Sequence, residues 1–167
     1  HHAEIVRRQA LGYSWNESEK SWKLSITNFD TVGATSLLTT VEDLARWDHN
    51  FEEPKVGGPA LLKQMLERGR LNNGETLNYA SGLTLGKYKG LRTVEHGGAD
   101  AGYRSVFLRF PDERFTVACL CNAAQAVPKQ LARQVADLYL AGRLEQPAER
   151  PSRKPVISLS AARWLKV

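Results

Sequence analysis

Apolar and polar residues alternate on both sides of a short polar stretch early in the chain. Tyr13 and Trp15 precede Asn16–Ser21, and Trp22, Leu24 and Ile26 follow it. A period of two flanking a polar turn predicts a β-hairpin. The period then changes to that of a helix: Val41, Leu44, Ala45 and Phe51 form a stripe behind Thr39-Thr40, and Pro54 lies just past the end. Glu42 and Asp43 stand where a helix's positive end favours acids, in the Ser/Thr-x-x-Asp/Glu pattern of a capped start. A second short helix is expected from Pro59, burying Leu61, Leu62, Met65 and Leu66 and stopping at Gly69.

Asn72-Asn73-Gly74 is a hairpin-turn signal. Strands are expected around 76–87, 91–97, 102–110 and 114–121, with turns at Lys89-Gly90, at Gly97-Gly98 and at Pro111-Asp112. The last two strands are apolar on both faces: Val106, Leu108 and Phe110 against Phe107, then Phe115, Val117 and Cys119 against Leu120. Such strands need cover on both sides. A helix over 127–142, with Leu131, Val135 and Leu138 on its stripe and Gly142 as its stop, supplies one cover. A second cover is not visible in the pattern. The fold class expected is therefore α+β, an antiparallel β-sheet flanked by helices. Residues 1–145 read as one domain; 146–155 turn polar and proline-containing, as a linker, and 156–167 read as the start of a further element.

Composition narrows the function classes. With 167 residues, 42% hydrophobic and 25% charged, the chain reads as one globular domain. No apolar run approaches the ~18–20 residues of a bilayer span. The net charge of +5 is scattered, without aromatic interleaving, so nucleic acid is not an expected partner. Cys119 and Cys121 share one face of a strand and read as small apolar residues, a poor disulfide and a poor zinc site. No Gly-x-Ser-x-Gly elbow or phosphate-binding loop occurs, and neither metal nor cofactor is expected. Asp43, Asp100 and Asp112 read as a helix-start acid, a loop residue and a turn residue, and His49 as solvent-facing.

The most informative run is His96-Gly97-Gly98-Ala99-Asp100-Ala101-Gly102-Tyr103-Arg104-Ser105. Two consecutive glycines let a ligand approach the main chain, and the histidine before them can give or take a proton. Such a place can grip a carbonyl or carboxylate with backbone N–H groups. This run resembles the third motif of the class C β-lactamase-like serine hydrolases, a family of β-lactamases, D-alanyl-D-alanine peptidases and esterases. Gly33–Thr40 leading into Val41-Glu42-Asp43-Leu44 resembles the family's Gly-x-x-Ser-Thr-x-x-Asp-Leu segment, and Tyr79-Ala80-Ser81-Gly82-Leu83 its Tyr-x-Gly-Leu-Gly strand. The resemblance covers roughly residues 10–142.

It implies a partial penicillin-binding-protein-like transpeptidase fold and an ester, peptide or β-lactam as small-molecule substrate. The Ala99 N–H would be one oxyanion donor, and His96 would stand at the position usually held by lysine or histidine. Gly97 and Gly98 would leave room for substrate along the strand, while Gly102 and Tyr103 would shape a wall. Histidine in general titrates near about 6.5 and carries little charge at neutral pH, where lysine is fully charged. A weak grip on substrate carboxylates is the consequence, favouring esters or peptides over β-lactams. A periplasmic or secreted location is suggested by the family alone.

The departures from the family pattern are equally informative. No serine is followed three residues later by lysine, so the Ser-x-x-Lys nucleophile motif is missing. Tyr79-Ala80-Ser81 fits the family's Tyr-x-Ser second motif by letters but lies on the strand before the third motif, and it reads as a chance match. The expectation is a C-terminal part of a hydrolase, inactive alone, that associates with itself or with its other half. The alternative is a non-catalytic module that binds a peptide or partner in the same groove.

Overall fold

A computed structural model describes residues 5–27, 33 and 35–145; the expectations for the linker at 146–155 and the element at 156–167 lie outside the described residues. The early hairpin forms as its alternation predicts. β1 (Tyr13–Asn16) pairs antiparallel with β2 (Ser21–Leu24), and Trp15 meets Trp22 edge to face at 5.5 Å. Asn16 closes the turn by accepting the Ser18 and Glu19 N–H groups at 3.0 and 3.1 Å, an Asx turn.

α1 (Val41–His49) is capped by Thr40, whose hydroxyl accepts the Asp43 N–H at 3.2 Å. Its inward side meets the expected stripe only in part: Leu44 and Phe51 are half-buried as expected, Val41 and Ala45 are exposed, and Trp47 and Asp48 turn inward instead. The helix docks partly through a polar residue, Asp48, which hydrophobic spacing alone could not mark. α2 (Gly58–Met65) starts at two glycines, Gly57 as its cap and Gly58 as its first residue, with φ of +78° and +71°, and leaves Leu61 exposed.

The main sheet has the order β3-β4-β5-β6, all antiparallel. β3 is Thr84–Tyr88, β4 Leu91–Asp100, β5 Tyr103–Phe110 and β6 Phe115–Cys121. Two boundaries differ from expectation. Residues 76–83 make only isolated bridges, Arg70 to Thr76 and Tyr79 to Thr84. The glycine pair does not turn the chain: Gly97 and Gly98 stay in β4 opposite Val106 and Ser105, and the turn falls at Ala101-Gly102. The neighbouring strand holds these residues extended through ladder hydrogen bonds that local glycine content cannot veto.

Alternation puts Val106, Leu108 and Phe110 on one face, fully packed against Ala132, Ala136 and Leu140 of the helix α3 (Pro128–Tyr139) and the turn after it. Burial of Leu108 and Phe110 stabilises by about 1.5–3 kcal/mol each. The buried stripe of α3 is thus not the expected one: Leu131, Val135 and Leu138 are exposed. Alanines face the sheet because small side chains let the helix backbone approach it closely. The opposite face carries Phe107 and Arg109. Phe51, just past α1, stacks on Phe107 at 6.3 Å, so α1 and its following turn form the second cover.

Candidate active site

The two-residue turn Lys89-Gly90, with φ of +45° and +84°, joins β3 to β4 and makes Tyr88 and Leu91 its closing pair. Backbone groups in an antiparallel ladder point alternately to either neighbour. From Leu91 onward, the odd-numbered residues of β4 therefore direct N–H and C=O toward β3. The pairing with β3 ends at Thr84 opposite Glu95. Beyond it, Gly97 and Ala99 present their backbone groups at an edge that no strand covers among the described residues. His96, Gly97, Gly98 and Ala99 are all exposed.

Side chains at this edge alternate likewise. His96 and Gly98 lie on the α1 face, opposite Phe107 and Ser105. The Ser105 hydroxyl occupies the space that a Cβ on Gly98 would take. Tyr79, just upstream of β3, places its hydroxyl 3.3 Å from His96 Nε2. Sequence reasoning missed this residue, since the contact depends on the β3–β4 register and not on motif order. Its early signals were its place in the pre-motif strand and the Tyr-x-Ser letters read as a chance match.

The remaining predicted residues serve the far end of β4. Asp100 is the last strand residue, not a loop residue, and accepts the Thr27 and Thr35 hydroxyls at 2.9 and 2.6 Å. Gly102 is buried at the turn and donates to the Ser25 carbonyl at 2.8 Å; a Cβ there would lie 2.7 Å from the same oxygen. The Tyr103 hydroxyl donates to the Ala10 carbonyl at 2.9 Å. Gly102 and Tyr103 thus clamp the β1–β2 hairpin, whereas His96, Gly97, Gly98 and Ala99 form one continuous edge.

The other sequence candidates lie apart from this edge. His49 is exposed and sits 3.3 Å from Glu53; Asp112 pairs with Arg92 at 2.6 Å. A shallow hollow beside α1, lined by Ala45, Asp48, His49, Glu52 and Arg114, holds none of the β4 edge residues. Cys119 and Cys121 point the same way with sulfurs 3.7 Å apart, and burial, then the Cys121 neighbour, pushes the Cys119 thiol up to about 11. Among the described residues no three His, Cys, Asp or Glu side chains gather as a metal site. No described helix is long and apolar enough to cross a membrane.

The comparison with known proteins turns on residues 2–141, which match the family model described as Beta-lactamase. The chain belongs to the beta-lactamase family. It is 28% identical over 171 residues to penicillin-binding protein 4* of Bacillus subtilis (strain 168), covering 95% of this chain and 38% of that protein. It is 27% identical over 124 residues to a D-aminopeptidase of Gluconobacter oxydans (strain 621H), covering 72% of this chain and 23% of that one. The octameric penicillin-binding protein homologue from Pyrococcus abyssi shares the fold, with a TM-score of 0.67 at 22% identity over 79% of this chain and 31% of its own. The chain thus spans well under half the length of the relatives it matches. A hydrolase-type function holds at the level of the family.

Proposed function

We propose that this chain is the substrate-edge part of a serine hydrolase that works through an acyl-enzyme, with the nucleophilic serine and its lysine supplied from outside these residues. The observation that carries the reading is the uncovered half of β4, where backbone donors and His96 lie side by side. A substrate acyl chain would extend the sheet along Gly97–Ala99, as an added strand does. The Ala99 N–H would hold the oxyanion together with the nucleophile's own N–H; loss of one such donor typically slows acyl transfer by about 10²–10³. His96 would meet the substrate's carbonyl or carboxylate from the α1 face. Substrates of this class are esters, peptides or β-lactams, and the penicillin-binding and D-aminopeptidase relatives support that range.

This division of labour makes the isolated chain inactive and inclined to associate. The open β4 edge and the exposed Leu131, Val135 and Leu138 of α3 supply the surfaces for it. The penicillin-binding protein homologue from Pyrococcus abyssi is octameric, which supports the same tendency.

The test is the intact mass of the full gene product after incubation with a fluorophosphonate and, separately, with penicillin. An adduct on a serine outside this segment is the expected result, and its lifetime separates esterase from lactamase behaviour. No adduct with either reagent overturns the enzymatic reading in favour of a binding module, which the missing Ser-x-x-Lys motif would then explain.

A further inference from the structure

We infer that Tyr79 is a positioning residue for His96, fixing the imidazole so that it offers an N–H donor, not a bare nitrogen, to a substrate at the open β4 edge; the inference deepens the acyl-transfer reading and rests on it for its substrate.

Tyr79 is held from both sides before any ligand arrives. Its carbonyl accepts the Gly69 N–H at 2.8 Å, and the residue bridges Thr84 at the start of β3. On either side, Leu85 donates to the Asn78 carbonyl and Ala80 to the Leu83 carbonyl, both at 2.8 Å. His96 is held by its pairing with Phe107 in β5. Two rings on fixed backbones therefore meet with centroids 6.3 Å apart and the phenol oxygen 3.3 Å from Nε2.

The chemistry of the pair sets the direction of its hydrogen bond. A phenol is a far stronger acid than a neutral imidazole N–H, and a bare imidazole nitrogen is a better acceptor than a phenol oxygen. The phenol therefore donates to Nε2, which leaves the proton of neutral imidazole on Nδ1. Among the described residues Nδ1 has no hydrogen-bond partner. The open edge of β4 then gains a neutral donor on the α1 face to complement the edge N–H groups of Gly97 and Ala99. Three donors and, among the described residues, no fixed cation suit an acyl substrate whose recognised group is an uncharged carbonyl, such as a neutral ester or amide.

The experiment is ¹⁵N NMR of the full-length protein labelled at histidine, with the His96 signals assigned by their loss in His96→Gln. At a pH where the ring is neutral, the expected result is a pyridine-like Nε2 and a protonated Nδ1. Tyr79→Phe keeps the aromatic contact and removes only the hydroxyl; His96 should then shift toward the Nε2–H form while the other histidine signals stay in place. A protonated Nε2 in the unaltered protein, or a tautomer unchanged in Tyr79→Phe, overturns the inference. This readout stands whether or not a fluorophosphonate adduct forms, so it fails separately from the acyl-transfer reading. Where turnover is measurable, Tyr79→Phe should raise KM for a neutral ester about five-fold, as for one lost hydrogen bond, with kcat much less affected.

Discussion

Arg109 of β5 and Asp48 of α1 meet at 2.9 Å on the sheet face that also carries His96. The Arg109 side chain is 8% exposed, its second nitrogen reaches Glu52 at 3.1 Å, and its guanidinium lies 5.2 Å from the Phe51 ring centroid. Thr116 donates to the same Asp48 oxygen at 2.8 Å. One buried cation thus docks α1 and its following turn over the sheet. Arg109→Ala should destabilise the fold by about 3 kcal/mol, the lower end for breaking a buried pair, because the two carboxylates keep some access to water. Denaturant titration checks it, and a change inside the scatter of surface substitutions would show that apolar contacts alone hold α1.

Glu52 gives this docking a pH dependence. Its carboxyl is held below the ordinary 4.5, first by the hydrogen bond from Arg114, against the opposing effect of desolvation, and further by the charges of Arg114, Arg109 and His49. A carboxyl with a depressed folded-state pKa adds stability that is complete above its unfolded pKa and is lost as pH falls through the folded one. The stability gap between the unaltered chain and Glu52→Gln should therefore be largest near neutrality and close in acid. Urea midpoints across that range measure it; a gap that widens in acid would contradict the assignment.

Cys119 makes a chemical prediction. With its thiol pushed up to about 11, chiefly by burial, roughly one molecule in 10³ carries the thiolate at pH 8. Disulfide-exchange reagents should modify it about a hundred-fold more slowly than an ordinary exposed cysteine. Because burial is the leading cause, the slowness should persist in Cys121→Ser. Rapid labelling of native protein would mean that the α3 side of the sheet opens readily.

What the chain discloses in advance follows from which interactions are local. The Tyr13–Leu24 hairpin was legible from its period of two, and the strands carrying Val106, Leu108 and Phe115 from apolar runs on either side of the Pro111-Asp112 turn. Thr40 and Asp43 marked the start of α1 because a cap bonds within its own turn. The inward face of α3 was not legible: Leu131, Val135 and Leu138 look like a core stripe, yet proximity to the sheet selects Ala132 and Ala136. The passage of β4 straight through Gly97-Gly98 depends on Val106 and Ser105 across the ladder. The contact of Tyr79 with His96 likewise follows from the register of β3, which no short window contains.

Gly102 tests how firmly the hairpin is joined to the sheet. A Cβ there would press on the Ser25 carbonyl, the Gly12 carbonyl carbon and the Tyr13 nitrogen together. All are backbone atoms that cannot rotate aside. Gly102→Ala should cost about 3 kcal/mol, the upper end for overpacking, or roughly 6–12 °C in Tm for a domain of this size. Proteolysis within residues 13–24 should become faster than elsewhere. Gly98→Ala is a useful contrast, since the one close contact of its Cβ would be the rotatable Ser105 hydroxyl, and it should leave Tm nearly unchanged.

The charge state of the β4 edge decides which acyl groups it favours. His96 is exposed and faces the phenol of Tyr79, with no carboxylate against it among the described residues. In the full-length protein, His96→Lys would put a permanent cation there, and the Tyr79 oxygen could accept from the ammonium. KM for an ester bearing a carboxylate should fall several-fold, while its uncharged counterpart gains nothing. Raising the salt concentration should erase most of that gain, as it does for an exposed ion pair. Matched kinetics on the two esters at low and high salt read this directly. Equal effects on both esters, or none on either, would place substrate recognition away from His96 and remove it from the proposed site.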